Sequence, residues 1–253
     1  MQAGPRTDRG KAQVVSDYLA ATRVWQYVPR VRSAVVALYL SVAAKISSKR
    51  EIEIKLRVTD LADILRRLHQ LDAVSRGRVH EHNTLFDTPD SGFRRSGRLL
   101  RLRQQTPAPG NKIRGGAACA ILTAKAPPLP DRQSVRATQK RLYKEVQENQ
   151  EHIKDPRRLS QALRGLGFRP GFRYEKFRTS FHLNSLHIDL DETPVGTFLE
   201  LEGTPSAINR TAGSLGFAPG DYIRSTYRTL YAADCRRHHR KPQNMLFSRQ
   251  KSR

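Results

Sequence analysis

The segment EIEIKLRV, residues 51–58, constrains this chain more than any other. Read as a strand, its side chains alternate between two faces. Ile52, Ile54, Leu56 and Val58 form one face, and Glu51, Glu53, Lys55 and Arg57 form the other. The apolar face requires protein cover. The charged face either meets water or lines a site.

Seven further runs have strand character: HNTLFDT (82–88), RLLRLRQ (98–104), CAILTAK (119–125), KRLYKEVQ (140–147), EKFRTSFHL (175–183), LHIDLDE (186–192) and TFLELEG (197–203). Three segments read as helices. Thr59 is placed to cap the first, whose face is Leu61, Ile64, Leu65, Leu68 and Leu71. Asp155-Pro156 opens the second, and Thr204-Pro205 the third. The last two exit through matching segments, LGFRPG (166–171) and LGFAPG (215–220), each leading into a strand-like run. That match fits either an internal helix–turn–strand repeat or the same capping chemistry used twice. Short strands joined by hairpins, with few helices, predict an α+β antiparallel sheet or barrel.

The period of two puts like charges together on strand after strand. Arg101 and Arg103 share a face, as do Lys176 and Arg178, Asp189 and Asp191, and Glu200 and Glu202; Glu145 shares one with Arg141, Tyr143 and Gln147. A solvated sheet face is the common arrangement, but it does not usually carry doublets of one sign. Acidic doublets suit a divalent cation, and basic doublets suit phosphate oxygens. Closing the sheet into a barrel with charge inside brings both kinds around one ligand. Such a cavity must be wet, because burying these charges dry is costly.

The net charge of +23 over 253 residues favours anionic partners. Cys119 and Cys235 stand in no metal-ligand spacing, which fits a reducing cytoplasm. Residues 1–46 read as an extension. Their apolar stretch, 31–44, is too short to span a membrane as a helix. Residues 47–235 read as the main domain, and 236–253 as a basic disordered tail.

The residues so ordered resemble the CYTH superfamily, the triphosphate tunnel metalloenzymes. Glu51-x-Glu53-x-Lys55 resembles its ExExK signature. FDTP (86–89), Arg101-x-Arg103, LTAK ending at Lys125, Lys176-x-Arg178 and DETPVGTFLELEG (191–203) come after it in the family's order. The likeness covers roughly 48–234. Around Glu145 it departs: Tyr143 and Gln147 stand where the family often has an arginine and an acid.

The resemblance implies an eight-stranded antiparallel tunnel that binds a triphosphate with Mg²⁺ or Mn²⁺. Lys55, Arg101, Arg103, Lys125, Lys176 and Arg178 are then the triphosphate clamp. Glu51, Glu53, Glu145, Asp191, Glu200 and Glu202 are the candidate metal ligands. Two reactions are implied: cyclisation of ATP as in class IV adenylyl cyclases, towards which the closing segment leans, and hydrolysis of tripolyphosphate or thiamine triphosphate. A homodimer is compatible with either. A non-catalytic polyanion-binding module is the reading from another class, but the acidic doublets would repel nucleic acid, which leaves only the basic tails for it. No Walker motif extends from the glycines at 115 and 116.

Overall fold

A computed structural model of the chain describes residues 49–108, 118–128 and 142–248. The expected extension, 1–46, and Arg141 lie outside the described residues.

Eight strands form one closed antiparallel barrel: β1 (Lys49–Val58), β2 (Val74–Asp87), β3 (Leu99–Pro107), β4 (Cys119–Ala126), β5 (Lys144–Ile153), β6 (Arg169–Leu183), β7 (Leu186–Thr193) and β8 (Gly196–Glu202). Their order around the barrel is β1-β5-β4-β3-β2-β6-β7-β8, and β8 pairs back onto β1. The described helices are α1 (Leu61–Gln70), α2 (Gly92–Arg95), α3 (Pro156–Gly165), α4 (Pro205–Ser214) and α5 (Tyr227–Arg237). Asp60, rather than Thr59, caps α1: its side chain accepts from the Asp63 backbone N–H at 3.0 Å. Asp155 and Thr204 cap α3 and α4, each with proline in the first turn.

The main apolar core lies outside the barrel. Ile54 and Leu56 of β1 join Ile188 and Leu190 of β7 and Leu199 and Leu201 of β8 in one buried sheet surface. Ile64 and Leu68 of α1 and Ile208 and Ala212 of α4 complete that cluster. The amphipathic face of each helix is thus spent on the outer wall. A smaller cluster joins Phe86, Leu102 and Ala120 to Leu163 of α3. With its apolar face turned out, β1 must turn its charged face in.

The two LGF exits end their helices in one way. Gly167 and Gly216 take φ of +92° and +87°, which a side chain rarely adopts. Phe168 N then bonds Leu163 O, and Phe217 N bonds Ala212 O. Beyond these caps the two exits diverge. The first enters β6, whereas the second makes a turn at Pro219–Asp221, touches β1 through Ile223 and Lys55, and enters α5. The match is capping chemistry, not a repeat of helix, turn and strand.

The tail expected from 236 onward is a correction. Helix α5 runs to Arg237, and residues beyond it strap onto β6. Met245 is fully buried and exchanges backbone hydrogen bonds with Arg173 and Glu175. Phe247 packs on Phe177, 5.3 Å between ring centroids. One buried methionine and one aromatic carry no periodic signal, so composition alone read as disorder.

Candidate functional site

The inward faces line a cavity of about 770 Å³ through the barrel. Cross-strand pairing places Lys55 opposite Glu200, Glu53 opposite Glu202 and Arg178 opposite Asp191. On the other side Arg101 stands opposite Thr123, and Arg103 opposite Asn83. The six basic residues expected to face inward all line this cavity: Lys55, Arg101, Arg103, Lys125, Lys176 and Arg178.

Each cation has a carboxylate beside it. Lys55 Nζ lies 3.1 Å from Glu53 and 3.0 Å from Glu200. Burial opposes its charge, but those two acids hold its pKa above the usual lysine value. Lys125 donates to both oxygens of Glu51, at 2.8 and 2.6 Å. Lys176 donates to Asp191 at 2.7 Å. Arg178 forks onto Asp191 at 2.7 and 2.6 Å and reaches Glu200 at 2.5 Å and Asp189. Arg103 pairs with Glu81 at 3.0 Å. Arg101 is held most loosely, 3.9 Å from Glu148. It touches Thr123 and Tyr174, and its Nε is buried with no acceptor. A buried guanidinium donor without an acceptor is costly unless something anionic meets it.

Of the six acids expected to hold metal, five reach the interior: Glu51, Glu53, Asp191, Glu200 and Glu202. Glu202 sits at one end, paired with Lys49 at 3.0 Å. Glu145 does not reach it. It pairs with Ile52, so it points outward, and it meets Arg50 at 2.9 Å. The inward residues of β5 are Lys144, Val146, Glu148 and Gln150. Glu148 therefore takes the place expected of Glu145.

Glu81, Glu148 and Tyr227 were missed from sequence. β2 extends to Val74, well before the HNTLFDT run, so Glu81 is an interior residue of the strand and not a flank. Asp189, on the same face as Asp191, accepts from Ser180 at 2.6 Å and lies 2.9 Å from His187. Asp87 of the FDTP segment works outside the clamp: its carboxylate accepts the backbone N–H of Thr88, Phe93 and Arg94, fixing α2.

Among the described residues no three carboxylate, imidazole or thiol groups converge as a ready cation cage. The donor chemistry nevertheless fits a hard divalent cation at one place. Burial first, then a hydrogen bond to Glu148 and the nearby Glu53, push the Glu51 carboxyl up to about 9. Burial also works against Glu148, but the bond from Glu51 and the charge of Lys125 hold it down to about 2. The two carboxyls therefore share one proton at neutral pH. Carboxylate oxygens of this kind are the donors that a hard divalent cation takes. Asp191 is different: it already accepts from Lys176, Arg178 and Tyr227.

A model of the CYTH domain family matches residues 49–214. No curated protein matches the sequence. Solved structures share the fold. A candidate adenylate cyclase from Vibrio parahaemolyticus superposes with a TM-score of 0.60 at 18% identity, covering 74% of this chain and 99% of that one. The PH1819 protein of Pyrococcus horikoshii gives 0.59 at 20% identity, covering 73% and 99%. The PH1012 protein of the same organism gives 0.53 at 25% identity, covering 71% and 98%. No described helix is long and apolar enough to cross a membrane.

Proposed function

Because the chain belongs to the CYTH family, we propose that it is a divalent-metal-dependent enzyme that converts ATP to cyclic AMP and pyrophosphate inside the barrel. The observation that carries this is the convergence of six cations on one wet tunnel, each beside a carboxylate it can exchange for a phosphate oxygen. Arg101, Arg103 and Arg178 offer planar forks for the triphosphate, and Lys55, Lys125 and Lys176 offer point charges. Glu51, Glu53 and Glu148 are the residues that would hold the cation. When bound, it neutralises phosphate oxygens and favours ionisation of the attacking hydroxyl. The clamp holds the chain so that the ribose 3′ oxygen attacks the α-phosphorus and pyrophosphate leaves in line.

ATP is favoured over bare tripolyphosphate by one end of the cavity. There Leu85, Phe93, Leu99 and Phe172 line a partly apolar wall beyond the clamp, which suits a nucleoside and is wasted on an inorganic chain. Hydrolysis of tripolyphosphate or thiamine triphosphate is the second reading. It draws on the polar opposite end, where Gln105, Gln150 and Ser180 can hold water.

The test is a panel of ATP, tripolyphosphate and thiamine triphosphate, each with Mg²⁺ and with Mn²⁺, with cyclic AMP and phosphate both measured. Cyclic AMP with equimolar pyrophosphate is the expected product of ATP. Phosphate release without cyclic AMP moves the assignment to the hydrolase. No turnover of any triphosphate leaves a polyanion-binding module and overturns the enzyme reading.

A further inference from the structure

Helix α5 starts at the tunnel. Thr226 caps it, accepting from the Thr229 backbone N–H at 3.2 Å, and the next residue, Tyr227, enters the barrel. Tyr227 is 6% exposed, although it belongs to a helix outside the sheet. Its ring lies beneath two clamp cations, with Lys176 Nζ 5.0 Å and Lys55 Nζ 5.4 Å from the centroid. Its hydroxyl donates to Asp191 Oδ2 at 2.6 Å. The same oxygen accepts from Lys176 at 2.7 Å and from Arg178 Nη2 at 2.6 Å.

Asp191 is therefore the store from which two clamp cations must be released when a triphosphate arrives. Withdrawing a cation from a fully buried carboxylate leaves an unsatisfied anion, which is strongly unfavourable. A neutral donor that stays behind lowers that cost. The phenol is such a donor: its hydroxyl already bonds Asp191 Oδ2 and carries no charge to be drawn away by a phosphate.

We propose that Tyr227 is a positioning residue for triphosphate binding, its hydroxyl holding Asp191 so that Lys176 and Arg178 can pass from that carboxylate to phosphate oxygens. It acts through Asp191 and touches no reacting atom. The inference rests on the triphosphate reading of the tunnel, and its first test, binding in EDTA, needs no turnover.

Tripolyphosphate is titrated calorimetrically in EDTA into the natural chain, Tyr227→Phe, Asp191→Asn and the double variant. Tyr227→Phe keeps the ring under the two cations, so its melting temperature stays within a few degrees of the natural chain. Its Kd rises about tenfold, the effect of losing one hydrogen bond to a charged group. In the Asp191→Asn background the same change adds nothing, because the carboxylate it serves is gone. An unchanged Kd in Tyr227→Phe overturns the proposal, as does an equal loss with and without Asp191. Should Asp191→Asn fail to fold, the kinetic split decides: Tyr227→Phe raises KM for the triphosphate and leaves kcat near the natural value, whereas a lower kcat at unchanged KM overturns it. Binding without turnover by the natural chain defeats the cyclase and hydrolase readings and leaves this inference standing. Turnover with an unchanged Kd in Tyr227→Phe does the reverse.

Discussion

β1 and β5 lie side by side in the barrel and both carry acids into the tunnel, yet only β1 shows its phase in the sequence. The outer face of β1, Ile54 and Leu56, is buried under α1 and α4. Its alternation is therefore enforced by packing. The outer face of β5 carries Glu145, Gln147, Asn149 and Glu151, and none belongs to an apolar cluster. Both of its faces are polar, so nothing in the pattern distinguishes inside from outside. The lesson is that a strand announces its charged face only where the opposite face is packed.

The largest expected effect tests that contrast directly. Leu56→Ala removes a fully buried side chain between sheet and helices, and should destabilise the chain by about 2–5 kcal/mol in urea unfolding. Gln147→Ala on the outer face of β5 should stay within about 0.5 kcal/mol. Comparable losses at the two positions would mean that β5 is also packed outside, and the contrast would break.

The inner faces come next. Arg103→Ala removes a buried charge-assisted contact and should cost about 1.5–3 kcal/mol in kcat/KM for the triphosphate. Added metal should not restore it. Glu51→Gln keeps the shape of a protonated acid and should fold normally. Its loss of rate should be partly recovered at high Mg²⁺ or Mn²⁺. Kinetics over graded metal concentration separates the two; equal rescue of both would show that clamp and metal ligands are not divided as assigned.

Much of the barrel was legible for one reason. Alternation on β1, β3 and β8 is strict because helices or neighbouring clusters cover their outer faces, and Glu51, Lys55, Arg101, Arg103 and Glu200 emerge from it. Three things were not legible. Glu148 lies on a strand with two polar faces. Glu81 shares its inner face with Asn83 and Leu85, so it forms no doublet. Tyr227 comes from a helix, and no period of a strand can reveal a side chain that enters the tunnel from outside the sheet. The strap at Met245 was hidden for a related reason, since a single buried anchor leaves a segment polar on average.

The proton shared by Glu51 and Glu148 sharpens the β1–β5 comparison in another way. Glu51 is raised from an ordinary value of 4.5 to about 9. Between those values the folded metal-free chain keeps a proton that the unfolded chain has lost. Stability therefore falls as pH rises through that window, by at most about 1.4 kcal/mol per pH unit for one proton. Glu148, lowered to about 2, acts in the opposite sense and only below about 4.5. Melting temperatures of metal-free protein from pH 5 to 9 should decline, and Glu51→Gln should flatten the decline. A natural chain that grows more stable over this range would contradict a shared proton at the β1–β5 seam.

The smallest effect settles the phase of β5. Glu145 meets Arg50, which is two-thirds exposed, on the outer surface. Glu145 itself is only 17% exposed, but the solvated guanidinium keeps this pair screened, and it contributes at most about 1 kcal/mol. Glu145→Gln should therefore leave stability nearly unchanged and turnover intact, with the same metal concentration for half-maximal rate. Glu148→Gln, three residues along and on the opposite face, should change that metal concentration, because it removes one of the two carboxylates sharing the proton. The two variants alter one carboxylate each in the same strand, so helix packing and net charge cannot account for a difference between them. If Glu145→Gln instead raised the metal requirement while Glu148→Gln did not, β5 would be turned by one residue relative to β1, and the pairing of Glu53 with Lys144 that fixes its register would be wrong.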